Sequence, residues 1–306
     1  EILRSDWSSD VCSSDLDKDN EKPRESGIGS GLFRIFATYH HRQSPNMKKF
    51  AKDLLVERAE MLREDYLLLH LRDRENELPP ILPGQFVQVA VEGSPTTFLR
   101  RPISINDADV AAGTFDLLIH LVGDGTRALA KLRKGDLLNC LYPLGNAFPV
   151  PPIAEGARRV LLVGGGVGTA PMLYYGRVLR EAGHTPVFLL GGRSERDILQ
   201  RERFAEIGML CCTTEDGSTG EKGFVTQHSV WNTEQFDLVA ACGPVPMMKA
   251  VAALSRQKGY ACRVSLENMM ACGIGACLCC VEKTTRGNVC VCTEGPVFDI
   301  DELTWQ

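Results

Sequence analysis

The chain has 306 residues, a hydrophobic share of 44% and a formal net charge of −5, enough to bury two compact cores and a small appendage. An acidic balance without a dense basic cluster removes any electrostatic case for nucleic acid or an anionic membrane surface. The longest apolar run, Val160 to Met172, is interrupted by glycines and falls short of the ~20 residues a membrane helix needs, and twelve cysteines without a signal-peptide pattern point to a reducing cytoplasm.

Residues 1–46 differ from the rest. The segment Asp6 to Leu16 resembles a translated sequencing adapter, and the polar stretch that follows has no periodicity, so an artefact or a disordered tail is expected there, with Met47 as the natural start. From 47 to 150 the signals are strand-like: Asp53 to Met61, Tyr66 to Arg72, Gln85 to Val91, Thr114 to Val122 and Asp136 to Leu141. Turn-formers such as Pro83-Gly84 and Lys134-Gly135-Asp136 separate them, and one helical piece, Thr126 to Leu132, interrupts the series. That rhythm predicts a small antiparallel barrel.

After Pro149 to Pro152 strands and helices alternate, and a doubly wound parallel sheet is expected over 157–265. Its strands are Arg159 to Val163, Thr185 to Leu190, Leu210 to Thr214, Asp237 to Cys242 and Tyr260 to Ser265; its helices are Thr169 to Glu181, Glu195 to Ile207, Val225 to Val230 and Val245 to Lys258. Residues 266–306 form a last unit, with a cysteine loop and a closing hairpin.

That loop carries the most specific chemistry. Cys272, Cys277 and Cys280 have the C-x4-C-x2-C spacing of a plant-type 2Fe-2S site, and Gly273 and Gly275 let the backbone curl around a small inorganic core. A zinc site is the competing reading, but only one clean C-x2-C hook is present. The fourth ligand is Cys292 or Cys290, two residues apart and expected on opposite faces of a strand. The six histidines lack metal-ligand spacing, and Cys140, Cys211, Cys212 and Cys262 read as core thiols.

Gly164-Gly165-Gly166-Val167-Gly168-Thr169 opens the first helix of the α/β half, where exposed N–H groups favour a pyrophosphate. Cys242-Gly243-Pro244 ends another parallel strand and belongs at the same carboxyl edge. In the barrel half, Arg100-Arg101-Pro102-Ile103-Ser104 sets guanidinium forks beside a hydroxyl on an extended segment.

Taken in order, Arg101 to Ser104, Gly123-Asp124-Gly125-Thr126, Pro143-Leu144-Gly145-Asn146, the glycine loop and Cys242-Gly243-Pro244 resemble the ferredoxin-NADP reductase superfamily. With Cys272 to Cys277 and Cys292-Thr293-Glu294-Gly295-Pro296-Val297-Phe298 at the end, the resemblance narrows to the electron-transfer subunits of type B dihydroorotate dehydrogenases. It implies an FAD-binding barrel, an NAD-binding α/β domain, a small C-terminal 2Fe-2S domain and Cys292 as the fourth ligand. It also implies FAD phosphates at Arg101, Gly125 and Thr126 and the isoalloxazine ring near Ser104, with Pro102 and Ile103 in the same FAD-binding segment; Ile103 stands where many relatives carry tyrosine, so ring stacking is not expected from it. Nicotinamide dinucleotide would contact Gly166, Gly168, Gly243 and Pro244, with Asp216-Gly217-Ser218 a further contact and Cys242 near the reacting ring carbon. Arg193 and Arg196 follow the second strand, where arginine favours a 2'-phosphate, whereas the resemblance argues for NAD.

The implied activity is electron flow from the FMN of a catalytic dihydroorotate dehydrogenase subunit, through cluster and FAD, to NAD+, in a cytoplasmic heterotetramer of two copies of each subunit that serves pyrimidine synthesis. Alternatives are a flavin and iron-sulfur subunit of a ferredoxin-NAD(P) reductase or sulfide dehydrogenase, an electron-transfer module for an oxygenase, and a non-enzymatic redox sensor.

Overall fold

Period-two alternation builds the first half of the molecule. In the computed structural model, which describes residues 48–305, six strands close an antiparallel barrel: β1 (Phe50–Arg63), β2 (Tyr66–Arg72), β3 (Phe86–Val89), β4 (Arg101–Asp109), β5 (Thr114–His120) and β6 (Leu137–Leu144), in the order β1-β2-β5-β4-β3-β6. The expectation for residues 1–46 lies outside the described residues. Alternate side chains, among them Leu54, Val56, Leu67, Leu69, Leu71, Phe115, Leu117 and Ile119, fill the interior, each worth roughly 1.5–3 kcal/mol on burial. β4 is a full strand although Arg101, Ser104, Asn106 and Asp107 interrupt its apolar pattern; pairing with β3 and β5 on its two sides holds it. The helix α1 (Asp124–Leu129) lies between β5 and β6, starting two residues earlier than predicted.

The second half is a seven-stranded sheet. Its parallel strands are β7 (Arg159–Gly165), β8 (Thr185–Gly192), β9 (Met209–Thr214), β10 (Glu221–Lys222), β11 (Leu238–Cys242) and β12 (Ala261–Ser265), in the order β10-β9-β8-β7-β11-β12. The connecting helices include α2 (Ala170–Glu181), α3 (Arg201–Ile207), α4 (Val230–Thr233) and α5 (Val245–Lys258). Two predicted helices are shorter than expected. Gln200 takes a left-handed φ of 54° and divides 195–207 into a 3-10 turn and α3; the segment 225–230 is a 3-10 turn over Val225–Gln227, with α4 starting only at Val230.

The barrel docks on the sheet through a second buried face of β2 and β5. Tyr66, Leu68 and Leu118 point out of the barrel and pack on Ala170 and Leu199, while Tyr174 and Val178 of α2 join the barrel core.

The C-terminal segment closes the structure. A hairpin of β13 (Val281–Thr284) and β14 (Gly287–Cys290) leads through α6 (Val291–Glu294) to β15 (Val297–Asp299), which adds antiparallel to β12 as the sheet's seventh strand. Its apolar side chains share one core with both halves: Cys280, Val291, Cys292 and Phe298 pack with Val163 and Val264 of the sheet and with Phe86 and Leu144 of the barrel.

Candidate functional site

The cysteine loop crosses from β12 to β13, and Gly273 (φ 71°) and Gly275 (φ 83°) both take the left-handed backbone that glycine permits without strain. Three backbone N–H groups donate to sulfur: Ile274 to Cys272 Sγ (3.4 Å), Gly275 to Cys292 Sγ (3.2 Å) and Cys292 to Cys280 Sγ (3.4 Å). The Cys272 thiol neighbours that of Cys277, and the Cys280 thiol neighbours those of both Cys292 and Cys290. Burial would raise the Cys272 thiol, but the Ile274 N–H and the Cys277 thiol and N–H outweigh it and bring it to about 6. Cys292 is pushed up to about 12 by burial and then by the Cys280 thiol. Among the described residues no group of three or more His, Cys, Asp or Glu side chains is gathered as one ion would require.

Cys290 does not lie across a strand from Cys292 as expected. β14 ends at Cys290 and α6 begins at Val291, so the strand alternation stops between them. The Cys290 thiol also neighbours Cys280, and it is raised first by burial and then by that neighbour.

The loop's base is tied to the barrel through two sequence motifs that interlock. Asn146 Nδ2 donates to the carbonyls of Glu294 and Val297 (both 2.8 Å), and its Oδ1 accepts from Val297 N–H (2.9 Å). Gly145 lies so close to Pro296 that a β-carbon would stand 2.5 Å from Cδ.

On the barrel side, Arg101, Gly125 and Thr126 come together with Thr96, Thr97 and Asp124 around a cleft of about 270 Å³. A β-carbon on Gly125 would meet Arg101 Nε at 2.9 Å. Arg101 itself engages only the carbonyls of Leu99 and Arg100 and makes no carboxylate pair among the described residues, which leaves its fork available for an anion. Pro102 pairs across the sheet with Gln88, Ser104 with Phe86 and Ile103 with Val87. Ile103 packs against the barrel interior.

At the carboxyl edge of the sheet the two glycine turns meet backbone to backbone. β7 extends through Gly165, so the loop proper is Gly166 to Thr169 rather than the whole glycine run. A β-carbon on Gly168 would stand 2.4 Å from the Cys242 carbonyl oxygen, and Gly243 (φ 149°) is packed against Gly165. Pro244 caps α5 beside Gly165. The turn Asp216-Gly217-Ser218 closes on itself, with the Ser218 hydroxyl and N–H both donating to Asp216. Cys242 is fully buried, and burial holds its thiol protonated, far above the ordinary value.

Sequence reasoning missed Glu267, whose Oε1 lies 3.6 Å from Cys242 Sγ. It directly follows β12 at the carboxyl edge of the sheet. The residue is exposed to solvent, while the protein packed around its carboxyl on the Cys242 side raises its pKa by desolvation. The available signal was position: an acidic residue just past a parallel strand, where ligands of such sheets bind.

With this geometry in view, the chain is 38% identical over 262 residues to the dihydroorotate dehydrogenase B (NAD(+)) electron transfer subunit of Shouchella clausii, covering 84% of this chain and 98% of that one. The chain belongs to this family of electron transfer subunits. The corresponding subunit of Lysinibacillus sphaericus is 42% identical, covering 71% of this chain and 84% of that one. Residues 267–304 match the iron-sulfur cluster binding domain of dihydroorotate dehydrogenase B, and residues 162–253 match the oxidoreductase NAD-binding domain. Among solved structures, a chain of an NADH-dependent reduced ferredoxin-NADP oxidoreductase, described for flavin-based electron bifurcation, superposes with a TM-score of 0.74 at 29% identity over 82% of this chain and 90% of that one. The ferredoxin reductase of carbazole 1,9a-dioxygenase, at 22% identity and a TM-score of 0.59 over 70% of this chain and 67% of that one, shares the fold. As a dihydroorotate dehydrogenase B electron transfer subunit, the protein is an NAD-linked oxidoreductase component with a catalytic subunit as its counterpart. Among the described residues no helix is long and apolar enough to cross a membrane.

Proposed function

We propose that this subunit takes electrons from the FMN of its dihydroorotate-oxidising partner and delivers them to NAD+ by way of a 2Fe-2S cluster on Cys272, Cys277, Cys280 and Cys292 and FAD laid along the barrel. The observation that carries the reading is the set of backbone N–H groups aimed at three of the four sulfurs, from Ile274 to Cys272, from Gly275 to Cys292 and from Cys292 to Cys280. Such N–H donors suit the sulfurs of an iron-sulfur cluster, and the C-x4-C-x2-C spacing matches it better than the paired hooks of a structural zinc. When bound, the cluster supplies single-electron transfer and FAD exchanges single electrons for the hydride that NAD+ accepts.

The chain's own residues bind and orient these groups. Arg101 offers an unpaired guanidinium to the FAD pyrophosphate, with the Gly125 N–H and the Thr126 hydroxyl beside it. Pro102 and Ser104 present one face of β4 to the flavin ring, and Ile103 anchors that strand in the barrel. Gly166, Gly168 and Gly243 add no β-carbon where the two turns meet, with Pro244 and the Met247 side chain packed beside Gly165, and the free N–H groups of such a turn suit the pyrophosphate of a dinucleotide. The buried Cys242 thiol donates to Glu267 and positions that carboxyl beside the nicotinamide. The exposed rim of the loop, Met269, Ile274 and Leu278 with Cys277 and Cys279, suits the FMN subunit, in a cytoplasmic assembly of two copies of each chain.

Cys277→Ser tests the route. Dihydroorotate-driven NAD+ reduction by the reconstituted complex is expected to vanish, while NADH oxidation by ferricyanide persists. Equal loss of both would overturn the order cluster, FAD, NAD. The structural likeness to the ferredoxin-NADP oxidoreductase supports a second reading in which ferredoxin replaces the FMN subunit; NAD+ reduction driven by reduced ferredoxin alone would favour it.

A further inference from the structure

Gln88 sits in the middle of β3, opposite Pro102 of the Arg-Pro-Ile-Ser strand on one side and Leu141 of β6 on the other. Alternation points Val87 and Val89 into the barrel and sends Gln88 outward with Phe86. An outward glutamine on a barrel strand ordinarily meets water. This one is fully buried, because the cysteine loop lies over it. A β-carbon on Gly273, the residue after Cys272, would stand 2.7 Å from Gln88 Cγ and 3.0 Å from Nε2. Both polar atoms of the carboxamide are nevertheless without a hydrogen-bond partner.

Burying an amide with neither end paired costs several times what a typical net hydrogen bond contributes. A protein carries such a group where something outside the chain pairs with it. The loop over this amide is the one that brings Cys272 and Cys277 to the cluster of the proposed function. Thiolates and sulfides only accept hydrogen bonds, so they select the N–H end of the carboxamide, which lies against the loop at Gly273.

We propose that Gln88 is a positioning residue for the iron-sulfur centre: from the barrel wall beneath Gly273 its carboxamide N–H donates to cluster sulfur and raises the cluster's reduction potential. The inference rests on the cluster reading above. A reduced cluster carries one more negative charge than an oxidised one, and a fixed donor in a water-excluded site stabilises that charge. Because β3 runs beside β4, the same strand that touches the loop also borders the proposed flavin wall, and the donor stands between the two carriers. Its effect is to make the cluster a better acceptor from the partner without altering the flavin.

The experiment compares the full chain with Gln88→Leu and Gln88→Glu, each assayed for iron, sulfide and FAD and titrated under EPR. Both variants are expected to keep full cofactor content, Gln88→Leu lowering the cluster midpoint potential with an altered reduced-cluster EPR signal and an unmoved flavin potential, and Gln88→Glu lowering it less at low pH, where its buried carboxyl is neutral and still donates. An unchanged cluster potential at full occupancy would overturn the inference, as would a shift confined to the flavin. Should the variants fold poorly, the unsubstituted protein labelled with 15N at glutamine side-chain amides answers directly: a 15N hyperfine coupling to the reduced cluster in pulsed EPR is expected, and its absence overturns the proposal. A protein that binds no iron or sulfide would instead overturn the cluster reading itself.

Discussion

The two places where barrel and sheet touch are built differently. At the rear, α2 and α3 grip β4 and β5 with charge: Arg177 donates to Asp107 (Nε, 2.9 Å), Arg203 donates to Asp107 (2.9 Å) and to Asp116 (3.1 Å), and Tyr174 donates its hydroxyl to the Ile81 carbonyl (2.8 Å). Asn106 donates to Gln200 in the same seam. At the front, the cysteine arm meets the barrel through glycines, backbone carbonyls, the Asn146 side chain and the unpaired Gln88 amide, and it exposes Cys277 and Cys279 to solvent. The rear seam spends its polar groups on each other, so it fixes the angle between the two halves. The front seam spends Asn146 on backbone but leaves the Gln88 amide unpaired and the Cys277 and Cys279 thiols facing solvent, which is what a site for cofactors requires.

The contrast breaks most visibly at the front. Cys292→Ser is expected to abolish cluster assembly and dihydroorotate-linked NAD+ reduction while leaving the thermal unfolding of the barrel and sheet nearly unchanged. Cys290→Ser is expected to retain iron, sulfide and the EPR signal. Iron analysis of the pair decides between two thiols that both neighbour Cys280, and loss of the cluster in Cys290→Ser with retention in Cys292→Ser would reverse the assignment. The rear seam responds in the opposite sense. Asp107→Ala leaves Arg177 and Arg203 facing each other without their shared carboxylate, and for a partly buried network this costs about 2–3 kcal/mol of stability. Denaturant unfolding should show that loss, with cluster content intact and the NADH–ferricyanide rate near that of the parent. A loss of activity larger than the loss of stability would mean the rear seam also shapes the reactive cleft.

How far the sequence discloses these two seams follows from the range of the forces involved. A strand such as β2 is visible because it is apolar on both faces, with Leu67, Leu69 and Leu71 filling the barrel and Tyr66 and Leu68 meeting the sheet half. β4 is hidden: Arg101, Ser104, Asn106 and Asp107 give it a polar pattern that only its two sheet neighbours and the arginines of α2 and α3 satisfy. Gln200 ends a predicted helix for the same reason, since its left-handed turn accompanies a hydrogen bond to Asn106, 94 positions away. The cysteine spacing is local chemistry and reads directly. Gln88 does not, because it looks like an ordinary surface residue until the C-terminal arm folds back over the barrel, and Glu267 does not, because it stays exposed and only its approach to the Cys242 thiol marks it.

The smallest effect expected is at Glu267, and its sign sharpens the idea that the front seam holds unspent groups. Burial raises this carboxyl above its ordinary value, so the folded chain binds the proton more tightly than the unfolded chain does. Starting near the unfolded value of about 4.3 and extending upward, the folded state holds more protons than the unfolded state, and stability falls as pH rises through that window. Above the window the full penalty of the buried charge is present; below it the penalty is gone. Glu267→Gln removes the titration while keeping the shape, so the variant is expected to unfold at a slightly higher temperature than the parent at pH 8, with the gap narrowing steadily toward pH 5. The same variant should transfer hydride to NAD+ more slowly, because the amide offers Cys242 a weaker acceptor than the carboxylate does. A gap in unfolding temperature that stays constant from pH 5 to pH 8 would show that Glu267 carries no raised carboxyl and belongs to the surface.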